Sequence, residues 1–383
     1  MSGFLQRLTQ RHRDEATTGE RPGEQESSGT PGSRSSLPTT LQNDAGAEPA
    51  VKVVPHSPLD GADAIFADLD GVVYRGPEPV SDAVESLNLA QRTGLQVSYL
   101  TNNASRTPKM VADQLNAMGL HVAENDIVTS PQAAVPLLAD HIAPGSEVLV
   151  VGGVGLLEAV QQAGYHVTRT QSEQTAAVVQ GFAKDVSWAD LAEAAYAVAA
   201  GAVWIGTNQD WTLPNERGLA PGNGTLLSAV HTATGTFPTI AGKPERPIFD
   251  VAVTRFRAAQ PLFIGDRLDT DIEGARRVGI TSAHVLTGVD QAREIIEAAP
   301  ERRPDFLLQT LADLHRPYPV LEIAPNGAVS GHSVVRIDGA YVIIERGDPS
   351  DIDTLRAAAA AVWECSIPVS ALRLPEDLVG PPR

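Results

Sequence analysis

Cysteine is nearly absent from this chain: Cys365 is the one example in 383 residues. A single thiol excludes an internal disulfide framework and suits a reducing cytosol, so a cytoplasmic protein is expected. No run of about 18 apolar residues occurs, the length a bilayer demands, so no membrane span is expected. No apolar stretch follows the first residues, and a secretory signal is not expected either. Positive charge is also scarce, with 29 Lys and Arg against 47 Asp and Glu, a formal net charge of −18. No broad basic patch can be assembled from that balance, which argues against nucleic acid or an anionic membrane as partner. Residues 14–49 almost lack large apolar side chains and are rich in Glu, Ser, Thr, Gly and Pro. Such a segment cannot offset the entropy of ordering, so residues 1–59 read as a disordered tail.

What remains is ample. With 42% hydrophobic residues, the chain can bury a large core and should hold two or more domains. The first apolar run, Ala64-Ile65-Phe66-Ala67, shows no alternation, as expected of a strand buried on both faces of a parallel sheet. It delivers Asp68-Leu69-Asp70-Gly71. Side chains two apart in extended chain point the same way, so Asp68 and Asp70 can address one substrate. The layout recurs: Gln96 to Leu100 delivers Thr101-Asn102-Asn103, and Pro261 to Gly265 delivers Asp266. Ligands of open parallel sheets bind beyond the carboxyl ends of the strands, where these residues converge.

Taken singly, each piece has an ordinary reading. Asp-x-Asp-Gly after an apolar run is usually a turn with a solvated carboxylate, Thr-Asn-Asn a loop or helix cap, and Lys243 a surface lysine. In the order Asp-x-Asp, Thr, Lys, Asp, each acid or hydroxyl directly after a buried-strand pattern, they point to phosphoryl transfer. This constellation resembles the haloacid dehalogenase superfamily in all four of its motifs. The resemblance implies that Asp68 is a nucleophile that becomes an aspartyl-phosphate. It makes Asp70 the general acid and then the base, which favours a phosphatase over relatives that store the phosphoryl group.

A phosphate dianion would be repelled by Asp68, Asp266 and Asp271, so something cationic must reverse the field. Mg²⁺, with its taste for hard oxygens, suits such a site. The family pattern implies Asp68, the main-chain oxygen of Asp70, and Asp266 as ligands, with Asp271 in support. Lys243 is the second cation, in Ala241-Gly242-Lys243-Pro244, where the proline suits a first helical turn. Thr101, Asn102, Asn103 and Lys243 form the expected phosphate-binding set.

The stretch from Asn103 to Lys243 is far longer than one crossover needs, so an inserted domain is expected at 144–237, between core segments 60–143 and 238–316. Strands are read at Glu147 to Val151, Ala177 to Gly181 and Val203 to Thr207, with helices over Leu156 to Ala163 and Trp188 to Ala200. A lid that excludes water has a physical purpose in phosphoryl transfer. Its position resembles the large α/β cap of the NagD-like subgroup, whose members act on small phosphate esters. Asn208-Gln209-Asp210, Gly218, Pro221-Gly222 and Gly224 are similar to that cap's signature, and Asn208 and Asp210 are candidates to line the substrate entrance. For Asp210 a turn-forming role stands equally open.

Val148 to Gly155 imitates a dinucleotide fingerprint, but Glu158 stands where its third glycine belongs and would oppose a pyrophosphate. These glycines are read instead as a strand-to-helix turn. Beyond Arg316, strands at Leu321 to Ile323, Val334 to Ile337 and Tyr341 to Glu345 and an Ala-rich helix over Asp351 to Trp363 are read for residues 317–383. This small α+β appendage is expected to pack on the core or on another subunit. It resembles the reduced acetyltransferase-like region of actinobacterial family members, but has no glycine-rich loop for a coenzyme A pyrophosphate.

The reading is therefore an α/β protein: a Rossmann-like parallel sheet, an inserted α/β cap and a C-terminal α+β appendage. The resemblance implies a Mg²⁺-dependent phosphatase of a small phosphate monoester, glycerol 3-phosphate foremost, with phosphoglycolate, pyridoxal phosphate and sugar phosphates open. A homo-oligomer also stays open. A phosphomutase would use the same nucleophile without net phosphate release, and a phosphate-sensing scaffold would need a broken site.

Overall fold

The computed structural model describes residues 50–52 and 57–380 apart from Glu216. Its central sheet has six parallel strands in the order Phe306–Leu308, Thr281–Val285, Pro261–Gly265, Ala64–Ala67, Gln96–Thr101 and Ile127–Thr129. Ile65 and Ala67 join one apolar cluster and Ala64 and Phe66 the other, on opposite faces of the sheet. Burial on both faces is why the run shows no alternation. From Ala64–Ala67 the chain steps outward to Gln96–Thr101 and Ile127–Thr129, then returns on the other side at Pro261–Gly265. The order reverses between two adjacent strands, and their carboxyl ends carry Asp68 and Asp266.

The second sheet is also parallel, in the order Thr239–Ile240, Val203–Gly206, Thr175–Gln180, Glu147–Val151 and His166–Thr168. Three of its strands match the expected positions. His166–Thr168 and Thr239–Ile240 were not anticipated, and the latter carries the cap sheet past the expected limit at 237. Both are too short to show periodicity, and pairing with a neighbour defines them. Helices Val154–Gln162 and Trp188–Ala199 lie close to their expected spans. An antiparallel hairpin, Thr212–Asn215 with Gly218–Pro221, and helix Asn223–Thr234 complete this part.

One apolar cluster includes Val148, Val150 and Ile205 of this sheet together with Phe66, Leu100 and Phe249 of the core. Helix Ser130–Ala139 contributes Ala133, Ala134 and Leu138 to the same cluster. The two sheets therefore share buried surface. Gly155 brings them close: a Cβ there would collide with the main chain of Arg106. The glycine pair that imitates a dinucleotide fingerprint thus seats a cap helix against a core loop. Gly153 is the N-cap of helix Val154–Gln162, as the strand-to-helix reading requires.

The C-terminal sheet is antiparallel, in the order Ala50–Lys52, Leu321–Ala324, Gly327–Ser330, Ser333–Asp338 and Tyr341–Arg346. Two of these strands correct the reading from sequence. Gly327–Ser330 has a composition poor in strand formers and forms because tight connections hold it between its neighbours. Ala50–Lys52 lies within the span taken as a disordered tail and pairs with Leu321–Ala324. Most of that span lies outside the described residues. Helix Ile352–Glu364, capped by Asp351 accepting from the Asp353 N–H at 3.0 Å, covers the sheet.

The appendage packs on the core. Ala357 to Val362 share a cluster with Leu268, Ile272, Ile295, Ile296 and Leu307. Arg356 donates to the Leu307 carbonyl through Nε at 3.1 Å and Nη2 at 2.6 Å, and lies over the Tyr318 ring. These bonds to an edge-strand carbonyl, together with an ion pair from Nη1 to Asp353 Oδ1 at 2.8 Å, explain how so large a cation tolerates burial. Among the described residues, no helix is long and apolar enough to cross a membrane.

Candidate active site

Asp68 follows Ala67, whose register partners are Ile264 on one side and Tyr99 on the other. Asp266 and Thr101 each lie two residues beyond those partners, so three strand ends meet at one place. Lys243 comes to it from the cap side, just after strand Thr239–Ile240. Its Nζ donates to Asp68 Oδ1 at 2.6 Å and lies 2.7 Å from Asp271 Oδ1. Lys243 is only 2% exposed, so these two carboxylates are what keep its ammonium charged. Burial pulls its pKa down, but Asp271 and Asp68 more than reverse that and raise it. The following helix opens at Arg246 with Pro247 in its first turn, so Pro244 precedes the helix instead of starting it.

The acids are crowded. Asp68, Asp266 and Asp271 each offer an oxygen within 4.8 Å of the others. Burial pushes Asp68 up to about 7 despite the opposing pull of Lys243. Asp266 is raised well above the carboxylate range, first by burial and then by the charges of Asp271 and Asp68. Asp266 Oδ2 accepts from the Val289 N–H at 2.7 Å, while Oδ1 is buried without a hydrogen-bond partner among the described residues. A buried carboxylate oxygen with nothing to accept from, beside another acid, lacks a cation. Hard oxygen donors in this number suit Mg²⁺. Asp271 Oδ2 accepts from the Arg267 N–H at 3.1 Å, so this carboxylate is engaged on both oxygens, as a supporting group would be.

Asp70 is exposed, two residues beyond the buried Asp68. The protein around it nevertheless raises its pKa, against the pull of Arg106 and Lys243. Gly71 follows in the left-handed region at φ +83°, bending the chain away, and its N–H donates to the Tyr74 carbonyl. A Cβ at Gly71 or at Gly288 would collide with the Asp266 carboxylate, which is wedged between them.

The Thr-Asn-Asn loop divides its labour. Thr101 Oγ1 accepts from the Asn103 N–H at 3.1 Å, and Asn103 Oδ1 accepts from Ser105 N and Oγ, both at 2.9 Å. Asn102, expected among the phosphate-binding groups, has its side chain occupied otherwise. Its Oδ1 accepts from the Lys243 N–H at 2.8 Å, and its Nδ2 donates to the Lys243 carbonyl at 3.1 Å and to Asp210 at 3.3 Å. Asn102 thereby holds the main chain that carries Lys243. Asn208, expected at the substrate entrance, is buried and donates to the Asn102 carbonyl at 2.7 Å. Its neighbour Asp210 is partly buried, raised by burial and moderated by Arg267 and Lys243. The cap signature meets the core loop here, at a joint between the two sheets.

One strand end escaped the reading from sequence. Thr281–Val285 runs beside Pro261–Gly265, and its end delivers Thr287 to Asp290. Thr287 Oγ1 donates to the Gly71 carbonyl at 2.7 Å, and Asp290 Oδ2 accepts from the Leu268 N–H at 2.6 Å. The signal was present: Ala283-His284-Val285-Leu286 is a fourth apolar run leading to polar residues, interrupted only by the histidine.

A parallel sheet whose adjacent strand ends gather three carboxylates and a buried lysine defines a phosphoryl-transfer hydrolase. The model of haloacid dehalogenase-like hydrolases matches residues 65–166, and a second HAD-hydrolase-like model matches residues 240–314. D-glycerol 3-phosphate phosphatase of Mycobacterium tuberculosis is 43% identical over 311 residues, 79% of this chain and 86% of that protein. An acid sugar phosphatase of Staphylococcus saprophyticus is 36% identical over 61% of this chain and 89% of its own length. The crystal structure of the glycerol phosphate phosphatase of M. tuberculosis in complex with magnesium superposes with a TM-score of 0.74, at 40% identity, covering 83% of this chain and 94% of that one. The chain belongs to the haloacid dehalogenase-like hydrolases, and it is a phosphatase. Both matched segments end by residue 314, so the resemblance of the appendage to acetyltransferases gains no support from them.

Proposed function

We propose that this phosphatase hydrolyses a small phosphate monoester, glycerol 3-phosphate foremost, through a covalent phosphoryl adduct on Asp68. The observation that carries the reaction is the buried contact of Lys243 with Asp68 at 2.6 Å, beside an Asp266 oxygen that has no hydrogen-bond partner among the described residues. The substrate rests on the names of the mycobacterial relatives. The domain reading is a core at 60–143 and 238–316, a cap insert at 144–237 and an appendage at 317–383, with Thr239–Ile240 added to the cap sheet. The acidic balance of −18 supports a small-molecule substrate over a nucleic acid, and the single cysteine supports the cytoplasm.

In this reading Asp68 attacks phosphorus, forming an acyl phosphate as the bond to the ester oxygen breaks. Asp70 gives its proton to the departing alkoxide and then takes one from the water that attacks the adduct, releasing phosphate and restoring both acids. Asp68 and Asp266, with the Asp70 main-chain oxygen, would hold Mg²⁺, which supplies positive charge against the phosphate dianion. Lys243 neutralises Asp68 and Asp271 and faces the same phosphoryl group. The Thr101 hydroxyl and the Asn103 side-chain amide would donate to its oxygens.

Phosphate release from a panel of small monoesters, with and without Mg²⁺, tests this. Glycerol 3-phosphate should give the highest kcat/KM, and release should stop in EDTA. Isomerisation of a sugar phosphate without release would instead establish a mutase.

Proton linkage gives a second expectation. Burial holds the Asp68 carboxyl up at about 7 against the pull of Lys243. A carboxyl raised above its unfolded value stabilises the fold below that unfolded value, and the contribution is lost as pH rises through the folded one. Bound Mg²⁺ requires the ionised form, so its affinity should fall on acidification below about pH 7, by about tenfold per unit for each proton displaced, with proton release on binding. Titration calorimetry in buffers of different ionisation enthalpy measures both. A dissociation constant flat down to about pH 5.5 would contradict the buried acid at this position.

A further inference from the structure

His284 is fully buried at the end of strand Thr281–Val285, where its register partner is Gly265, the residue before Asp266. Its Nε2 lies 3.1 Å from the Asp290 carbonyl. A carbonyl only accepts, so Nε2 carries the proton. Nδ1 is buried without a partner among the described residues, which a ring with its lone pair there tolerates better than a second orphaned N–H. Burial lowers the pKa to about 4, so the ring stays neutral.

The loop that His284 grips is the one that aims Asp266. The Asp290 N–H donates to the Asp266 carbonyl at 3.1 Å, and the Val289 N–H to Asp266 Oδ2 at 2.7 Å. Gln291 Nε2 donates to the Gly288 carbonyl at 2.8 Å and closes the turn. With Oδ2 held in this way, Oδ1 is left without a partner among the described residues.

We infer that His284 is a positioning residue for the metal-binding carboxylate: its Nε2–H fixes the Gly288–Asp290 loop, and through Val289 that loop orients Asp266. The inference rests on the reading of Asp266 as a Mg²⁺ ligand. Partners one step behind a metal ligand typically govern affinity about 10- to 100-fold. They do so because a carboxylate free to rotate must be ordered again when the ion binds.

The test is Mg²⁺ titration calorimetry without substrate on the full chain, the His284→Leu variant and the His284→Gln variant. Leu fills the volume without a donor; Gln keeps a neutral donor at similar reach. The Leu variant should bind Mg²⁺ at least about tenfold more weakly, and Gln should recover most of that loss. At saturating Mg²⁺ kcat should change little. A folded Leu variant with the parent dissociation constant overturns the inference. Should the Leu variant fail to fold, nitrogen NMR of the parent ring decides: a Nε2–H tautomer is required, and a Nδ1–H tautomer overturns it. A parent chain that binds no Mg²⁺ removes the metal reading itself, and this inference with it.

Discussion

Replacing Asp68 with Asn should lower phosphate release by about 10⁴-fold or more, the scale seen when a covalent nucleophile is removed. The amide keeps the shape and loses the attacking oxygen anion. The fold should survive the change. Asp68 is one of three crowded acids, and Lys243 keeps its contact with Asp271 at 2.7 Å when Asp68 is neutral. Metal-free Asp68→Asn should therefore unfold in urea at or above the parent midpoint at neutral pH, because a buried carboxylate forced to ionise is gone. Activity assays and unfolding curves on the same preparation separate the two effects. Full turnover in the variant would refute the nucleophile assignment, and loss of folding would remove the meaning of the activity loss.

The second large effect should come from Lys243→Met, and it should strike folding and chemistry together. The side chain fits by volume, but the positive charge between Asp68 and Asp271 disappears. Breaking a buried ion pair from one side typically costs about 3–5 kcal/mol, because the partner remains buried and uncompensated. Here two partners are stranded, with Asp266 adding to the repulsion. In urea with EDTA, the midpoint should fall accordingly. With Mg²⁺ part of the loss should return, since the cation neutralises the same acids. Turnover at saturating Mg²⁺ should still drop by about 10²–10³-fold, as for loss of one preorganised group facing the transition-state charge. A metal-free midpoint equal to the parent's would show that Lys243 is not the counter-charge of this cluster.

The chemistry of the site was legible because strand-end motifs are local. Ala64–Ala67, Gln96–Thr101 and Pro261–Gly265 announce themselves as apolar runs, and the polar residues that follow each run fall at the sheet's carboxyl edge. The alternatives for Asn102 were not decidable in that way. An amide after a strand can face a ligand or hold a loop, and only the approach of Lys243 and Asp210 from distant sequence shows that Asn102 holds a loop. The Val289 N–H that aims Asp266 was invisible for a related reason: a backbone donor carries no sequence signature. The strands Ala50–Lys52 and Gly327–Ser330 likewise exist through their pairing partners and not through propensity.

By itself, the order of residues determined the doubly buried parallel sheet, the set of acids with one lysine, and an insertion too long for a crossover. Those follow from hydrophobic pattern and spacing, which act over a few neighbours at a time. Tertiary structure alone decided how the acids divide their work: which oxygen of Asp266 is held and which has no partner among the described residues, where Asn102 spends its hydrogen bonds, and how Gly155 lets its helix pack against the Arg106 main chain. Such outcomes depend on ångström-scale contacts between segments far apart in the chain, and burial then fixes the charge states that local composition leaves free.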